Sequence, residues 1–276
     1  MSSLATPLTR AQSTRIRELL REKRARNAEG AFIIEGAKPV YDLLQHHPTY
    51  VQSVVLAADY QRRETDQQRL IRESRKISSF SCSLRAFAAF STLENPQGVL
   101  AVVTQPRWDE RRILGQPKIF GLYGEELQDP ANVGAIIRTA AALNVDALWL
   151  TPESADIYNP KVVRASAGAV LSLPIFIAEG VDRLTNKDLA LFAAVPGGGN
   201  TVAMETIRKI PHRLVIGVGN ESRGLSARTI NAAACRFTIP LSRHVESLNV
   251  AATAAIALHY LRHLDTGTQA EREAAL

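Results

Sequence analysis

The chain has 276 residues, 46% of them hydrophobic and 22% charged, with a formal net charge of +6. This composition predicts a globular protein of one large or two modest domains. It holds no apolar run long enough to span a bilayer, and the opening MSSLATPLTRAQST lacks the apolar core of a secretion signal. Cys82 and Cys235 have neither disulfide nor metal-ligand spacing, which predicts free thiols in a reducing cytoplasm and no bound metal.

The basic balance points to a polyanionic partner, and the charge is concentrated early. Arg10, Arg15, Arg17, Arg21, Lys23, Arg24 and Arg26 stand against Glu18 and Glu22. Ser13 is a candidate cap for a helix whose apolar positions, Ile16, Leu19 and Leu20, have helical spacing, and Asn27 to Gly30 reads as its end. A strand over 32–36, a helix through Val40 and Leu44 and a strand over 51–57 follow. Next come a charged helix over 61–75, a strand near 77–80, a helix over 84–90 and a buried strand over 98–106. This alternation predicts a small α/β domain over residues 1–106. The segment 107–117, with prolines near both ends and many charges, reads as a linker that Trp108 docks onto one domain or the other.

From 118 to 265 strand and helix alternate again. Strands are expected at 118–124, 146–150, 173–178, 189–195, 213–219 and 235–240, and helices at 131–143, 159–169 and 248–264. Continuous apolar strands between helices predict a parallel sheet covered on both faces. Ligands of such sheets sit at the carboxyl ends of the strands, which directs attention to the loops after 122, 150, 195, 219 and 240. The remainder, 266–276, is a polar tail, expected to fray.

Three segments in those loops carry candidate chemistry. In Asp129 to Ala140, Asn132 and Arg138 are six residues apart and point about 120° away from each other on one helix. Alone, Asn132 reads as a backbone cap and Arg138 as a partner for a surface acid. The second, Gly217 to Ser226, permits a tight turn, with Ser226 a candidate helix cap; it matches neither the P-loop nor GxGxxG. In the third, Ile239-Pro240-Leu241 leads through Val245 to Asn249 into an alanine-rich helix for which Ser247 is the expected cap. His212, His244 and His259 have no neighbouring carboxylate and read as structural or surface residues, and PGGGN (196–200) as a mobile turn.

Taken together and in order, NVGAIIRTA, GNESRGLS and IPL…VESLNVAAT resemble the three motifs of the SpoU/TrmH class of RNA methyltransferases, with RASAGA (164–169) between them. The likeness covers about 118–262, and residues 13–36 and 93–103 are similar to the substrate-binding domain joined to many members. The resemblance implies a SPOUT-type parallel-sheet α/β domain with a trefoil knot, preceded by a small α/β domain of ribosomal-protein type. It also implies a homodimer whose active site is completed by the partner chain. The implied reaction is S-adenosylmethionine-dependent methylation of a ribose 2′-hydroxyl in RNA, ribosomal RNA before transfer RNA.

Carried over by position, Arg138, Asn132, Glu221, Ser247 and Asn249 are the catalytic set. Ala194, Val195, Gly219, Ile239 and Leu248 are expected to hold the donor. Arg15, Arg21, Lys23, Arg24, Arg26, Lys161 and Arg164 are expected along the RNA backbone. An arginine, whose guanidinium stays protonated in proteins, suits a charge-stabilising role better than that of a base. Two departures stand out: Asn144 replaces a common glycine, and Arg243-His244 replaces the glycine common before VESLN. The competing classes are a non-catalytic RNA-binding or ribosome-assembly factor and a nucleotide-cofactor oxidoreductase. The first would have little use for Arg138, Glu221 and Asn249 together, and the second lacks GxGxxG.

Overall fold

A computed structural model describes residues 5–242 and 245–266, so Arg243-His244 and most of the expected tail lie outside the described residues. The chain forms two compact units: residues 1–107 with 156–171, and residues 108–155 with 172–276.

The first unit is built on strands β1 (Thr6–Pro7), β2 (Ala31–Glu35), β3 (Val51–Ala57), β4 (Ser78–Cys82) and β5 (Val99–Thr104). They form one mixed sheet in the order β1-β4-β3-β5-β2. β3 and β5 carry continuous apolar runs, and Val54, Val55, Leu56 and Val99 to Ala101 are fully buried at its centre. The first helix spans Arg10–Arg21 and is capped by Thr9, four residues ahead of the expected Ser13. Thr9 accepts from the Gln12 amide while the Gln12 side chain accepts from the Thr9 amide, a reciprocal box that an isolated serine cannot match. A break at Glu22 starts a second helix, Lys23–Glu29, ended by Gly30 at φ 59°. The expected helix over 61–75 is two, Ala58–Arg63 and Asp66–Ser74, because Thr65 makes a second such box with Gln68. The helix Pro160–Ala165 also belongs to this unit, with the Tyr158 ring packed at 4.8 Å and tilted by 34° against Phe32.

The second unit contains β6 (Ile119–Gly124), β7 (Ala147–Leu150), β8 (Ile175–Ile177), β9 (Ala190–Ala194), β10 (Val202–Ala203), β11 (Lys209–Ile210), β12 (Arg213–Val218), β13 (Cys235–Thr238) and β14 (Asp265–Thr266). Seven of these make one sheet, β10-β13-β9-β12-β6-β7-β8, in which every pairing is parallel. The predicted parallel sheet is therefore present. From β6 the chain steps outward through β7 and β8, then returns to β9, and β12 inserts between β9 and β6. Such a reversal leaves a crevice at the carboxyl ends of the central strands. The helices Pro130–Ala142 and Val250–Arg262 pack on each other. After the first of them, Asn144 takes φ 50°, the left-handed turn that asparagine tolerates. Residues 108–117 are part of this unit: Asp109 caps a short helix, Glu110–Leu114, and Glu110 accepts from the buried Trp149 indole at 2.9 Å. Among the described residues no helix is long and apolar enough to cross a membrane.

Candidate functional site

The loops leaving β9, β12 and β13 and the segment before the last helix enclose a cavity of about 690 Å³ in the second unit. That is ample for a nucleoside-sized ligand. Ala194 and Val195 enter it from β9, Gly219 and Glu221 from β12, and Ile239 from β13; Ser247, Leu248 and Asn249 complete the wall. All five expected donor residues and three of the five expected catalytic residues thus line one cavity. A second cavity, of about 650 Å³, opens at the amino-terminal ends of β6 and β12 beside His212 and holds none of them.

Gly219 has a steric reason to be glycine. A Cβ there would lie 2.2–2.4 Å from backbone atoms of Gly224 and Leu225, where nothing flexible can give way. The turn it opens is closed by reciprocal backbone bonds between Asn220 and Gly224, at 3.1 and 2.9 Å. The buried Asn220 side chain accepts from the Ser222 and Arg223 amides and donates to the Glu126 carbonyl.

Asn132 does not line the cavity, yet it joins the motifs that do. Its Nδ2 donates to Glu221 Oε1 at 3.0 Å, and its Oδ1 accepts from Asn249 Nδ2 at 2.8 Å. The orientation of both amides follows from the network. Asn249 Oδ1 is taken by the Ala251 and Ala252 amides as helix cap, so its Nδ2 faces Asn132 and turns that residue's own Nδ2 toward the carboxylate. The cap is therefore Asn249, two residues beyond the expected Ser247, because the asparagine carbonyl reaches two orphan amides at once. Ser247 stays exposed on the cavity wall.

Glu221 also accepts from the Asp129 and Gln128 amides, at 3.3 and 3.4 Å. Burial alone would raise its carboxyl pKa. The hydrogen bonds from Asn132 and the backbone amides outweigh that and hold it below the ordinary value. At neutral pH it is an ionised acceptor, suited to fixing Asn132 and ill-suited to collecting a proton.

Arg138 lies elsewhere. It sits on the Pro130–Ala142 helix, nearly two turns beyond Asn132, exposed and outside the cavity wall. Among the described residues no carboxylate forms an ion pair with it, so the surface acid considered as its partner is not there.

The expected RNA residues divide. Arg21, Lys23, Arg24 and Lys161 are exposed, and Arg164 is exposed beside Thr92. Arg26 is a correction: it is 2% exposed, with its guanidinium on Asp156 Oδ2 at 2.6 and 2.8 Å, so it is out of reach of a phosphate. Arg15 is half-buried and bound to Glu29 at 2.6 Å and Gln52 at 2.8 Å. Asn220 and the buried hydroxyls of Thr151 and Ser154 escape sequence reasoning, since only their contacts distinguish them.

Residues 120–259 match the SpoU rRNA Methylase family, and residues 14–101 match the MRM3-like substrate binding domain. The chain is 30% identical to an uncharacterised tRNA/rRNA methyltransferase of Synechocystis sp., over 95% of each chain. It is also 30% identical to a 23S rRNA (guanosine(2553)-2′-O)-methyltransferase of Bacillus subtilis, covering 88% of this chain and 93% of that one. Among solved structures, an AdoMet-bound rRNA methyltransferase from Sinorhizobium meliloti is 26% identical with a TM-score of 0.77, covering 93% of this chain and 95% of the other. The geometry, the two matched domains and full-length relatives agree, and the chain belongs to the SpoU rRNA methylase family.

Proposed function

We propose that this protein transfers a methyl group from S-adenosylmethionine to a ribose 2′-hydroxyl of ribosomal RNA. One observation carries the reading: the Asn249–Asn132–Glu221 chain ties all three motif segments together at the edge of a cavity large enough for the donor. The named activity of the Bacillus relative, matched over most of both chains, supports the same reaction and an rRNA target.

The cavity fits the donor by shape and chemistry. Its lining combines the tight Gly219 turn with apolar Val195, Ile239 and Leu248, a surface suited to a flat base. The donor supplies a methyl group already activated on a sulfonium. This leaves the protein to orient the acceptor and stabilise the oxygen as its proton passes to bulk water and the donor departs as the neutral thioether S-adenosylhomocysteine. Orientation of two reactants is worth up to about 7–11 kcal/mol. Among the described residues no cluster of three metal-ligating side chains occurs. Arg138 is assigned to a phosphate and to the developing negative charge on the acceptor oxygen.

Its place away from the cavity motivates the second part of the proposal, a homodimer in which Arg138 serves a shared site. The helix bearing it exposes Ala131, Ala142 and Arg138, and the helix packed on it exposes Ala252 and Ile256. These small and apolar side chains suit close helix-to-helix contact with a second copy. A knotted C-terminal segment, an RNA-holding first unit and a cytoplasmic site of action belong to the same reading. The charge of the two units supports the RNA role: the first unit has 18 Lys and Arg against 11 Asp and Glu, or +7, and the second 15 against 16, or −1.

The test is incubation with labelled S-adenosylmethionine and unmodified total RNA, followed by digestion to nucleosides. Label recovered as a 2′-O-methylnucleoside from the large RNAs is the expected result. Label only in small RNA would move the target to transfer RNA, and label on a base would overturn the reaction assigned.

A further inference from the structure

The loop between β6 and the Pro130–Ala142 helix is held by five hydrogen-bond acceptors in a row. Successive amides donate to the Val218 carbonyl (Glu125, 2.9 Å), Thr151 Oγ1 (Glu126, 2.9 Å), Ser154 Oγ (Leu127, 3.2 Å), Glu221 Oε2 (Gln128, 3.4 Å) and Glu221 Oε1 (Asp129, 3.3 Å). Within it Glu126 stands at φ 53°, a conformation that residues with a Cβ rarely adopt. Its carbonyl is held as well, by Asn220 Nδ2 at 2.8 Å. A strained residue persists only where its surroundings over-determine it, and such residues gather at functional sites.

Two of the five acceptors come from the loop after β7, where Thr151 is 5% and Ser154 7% exposed. Their hydroxyl oxygens lie 3.4 Å apart, and the Ala155 amide donates to the Leu127 carbonyl at 2.7 Å. Neither hydroxyl lines the cavity. What they touch is the loop whose next two amides grip Glu221, which in turn grips Asn132.

We infer that Thr151 and Ser154 are positioning residues for methyl transfer, which set the Glu221–Asn132–Asn249 chain by fixing the 125–129 loop. The inference rests on the reading of this site as a methyltransferase centre. A hydroxyl acceptor that works through the loop affects how well the reacting groups are aligned and leaves donor and RNA affinity largely intact. Rate is sensitive to such alignment where binding is not.

The test compares Thr151→Val, Thr151→Ser and Ser154→Ala with the wild-type chain. Single-turnover methyl transfer at saturating RNA, donor affinity by calorimetry and amide exchange at Glu126 to Asp129 are each measured. Thr151→Val is expected to slow transfer by about 10-fold or more while donor and RNA affinities change less than about 3-fold. Thr151→Ser, which restores the acceptor, returns the rate to within about 3-fold of wild type, and exchange at 126–129 is accelerated by about 10-fold in the valine variant but not in the serine variant. A folded Thr151→Val with wild-type rate and exchange overturns the inference. So does a fall in rate that only tracks a fall in donor affinity, or a failure of serine to rescue. If the valine variant does not fold, Ser154→Ala is judged by the same rate and exchange criteria. Wild-type protein without transfer activity would sink the functional reading, and the exchange measurement would still decide whether these hydroxyls fix the loop.

Discussion

The two units treat charge in opposite ways. The first carries the whole net positive charge of the chain yet buries two of its ion pairs, Arg26 on Asp156 and Arg72 bidentate on Glu64. Its exposed cations include Arg21, Lys23, Arg24 and Lys161, which the proposed function assigns to a phosphate backbone. The second unit is close to neutral, and near one end of its parallel sheet Asn132, Asn249 and Glu221 hold each other beside a cavity. Affinity for a polyanion needs many loosely placed charges, whereas catalysis needs a few groups that cannot move. On the function proposed, the two demands fall on different units.

Breaking the buried pair of the first unit gives the largest expected effect. Arg26→Met leaves Asp156 without its charged partner, holding only the Tyr158 amide, and should cost about 3–5 kcal/mol, read as a fall in the denaturation midpoint. Adding Asp156→Leu should recover much of it, because both charges then leave together. In the second unit, Arg138→Lys should lower the transfer rate by about 10²–10³-fold with donor affinity retained, since an ammonium lacks the planar fork. Near-normal turnover would remove Arg138 from the chemistry. Gly219→Ala forces a methyl group into backbone at 2.2–2.4 Å. It should cost about 1–3 kcal/mol of stability and weaken donor binding measurably by calorimetry.

Smaller effects sharpen the contrast. Replacing Arg21, Lys23 and Arg24 with glutamine should reduce the salt slope of RNA binding by about 0.7–0.9 for each phosphate left unneutralised, with donor affinity unchanged. The least is a pH effect. Because the folded pKa of Glu221 is depressed from its ordinary 4.5, its contribution is complete above that value and fades as pH falls through the folded one. The stability difference between wild type and Glu221→Gln should therefore narrow below about pH 4.5.

Much of the fold and the site is legible in the residues. Buried strands such as β12, RLVIGV, announce themselves by unbroken apolar runs, and the motif order leads to the residues that line the cavity. The short strands β10, β11 and β14 escape, since two residues carry no periodicity. Caps shift from Ser13 to Thr9 and from Ser247 to Asn249 because several polar residues can cap and only geometry chooses among them. Arg26 reads as a surface cation in a basic stretch because its partner lies 130 residues away in the chain. Thr151 and Ser154 are ordinary in sequence, and their importance lies in the amides they meet.

The most direct test of the division of labour is the rate of methyl transfer to ribosomal RNA against RNA concentration, at low and high salt. It compares wild type, Arg138→Ala and the variant with glutamine at Arg21, Lys23 and Arg24. The expected result is 2′-O-methylnucleoside product, a collapsed kcat in Arg138→Ala, and a raised KM with near-normal kcat in the triple variant that low salt repairs. A triple variant with a collapsed kcat, or an Arg138→Ala protein impaired only in RNA affinity, would contradict the separation of RNA holding from chemistry between the two units.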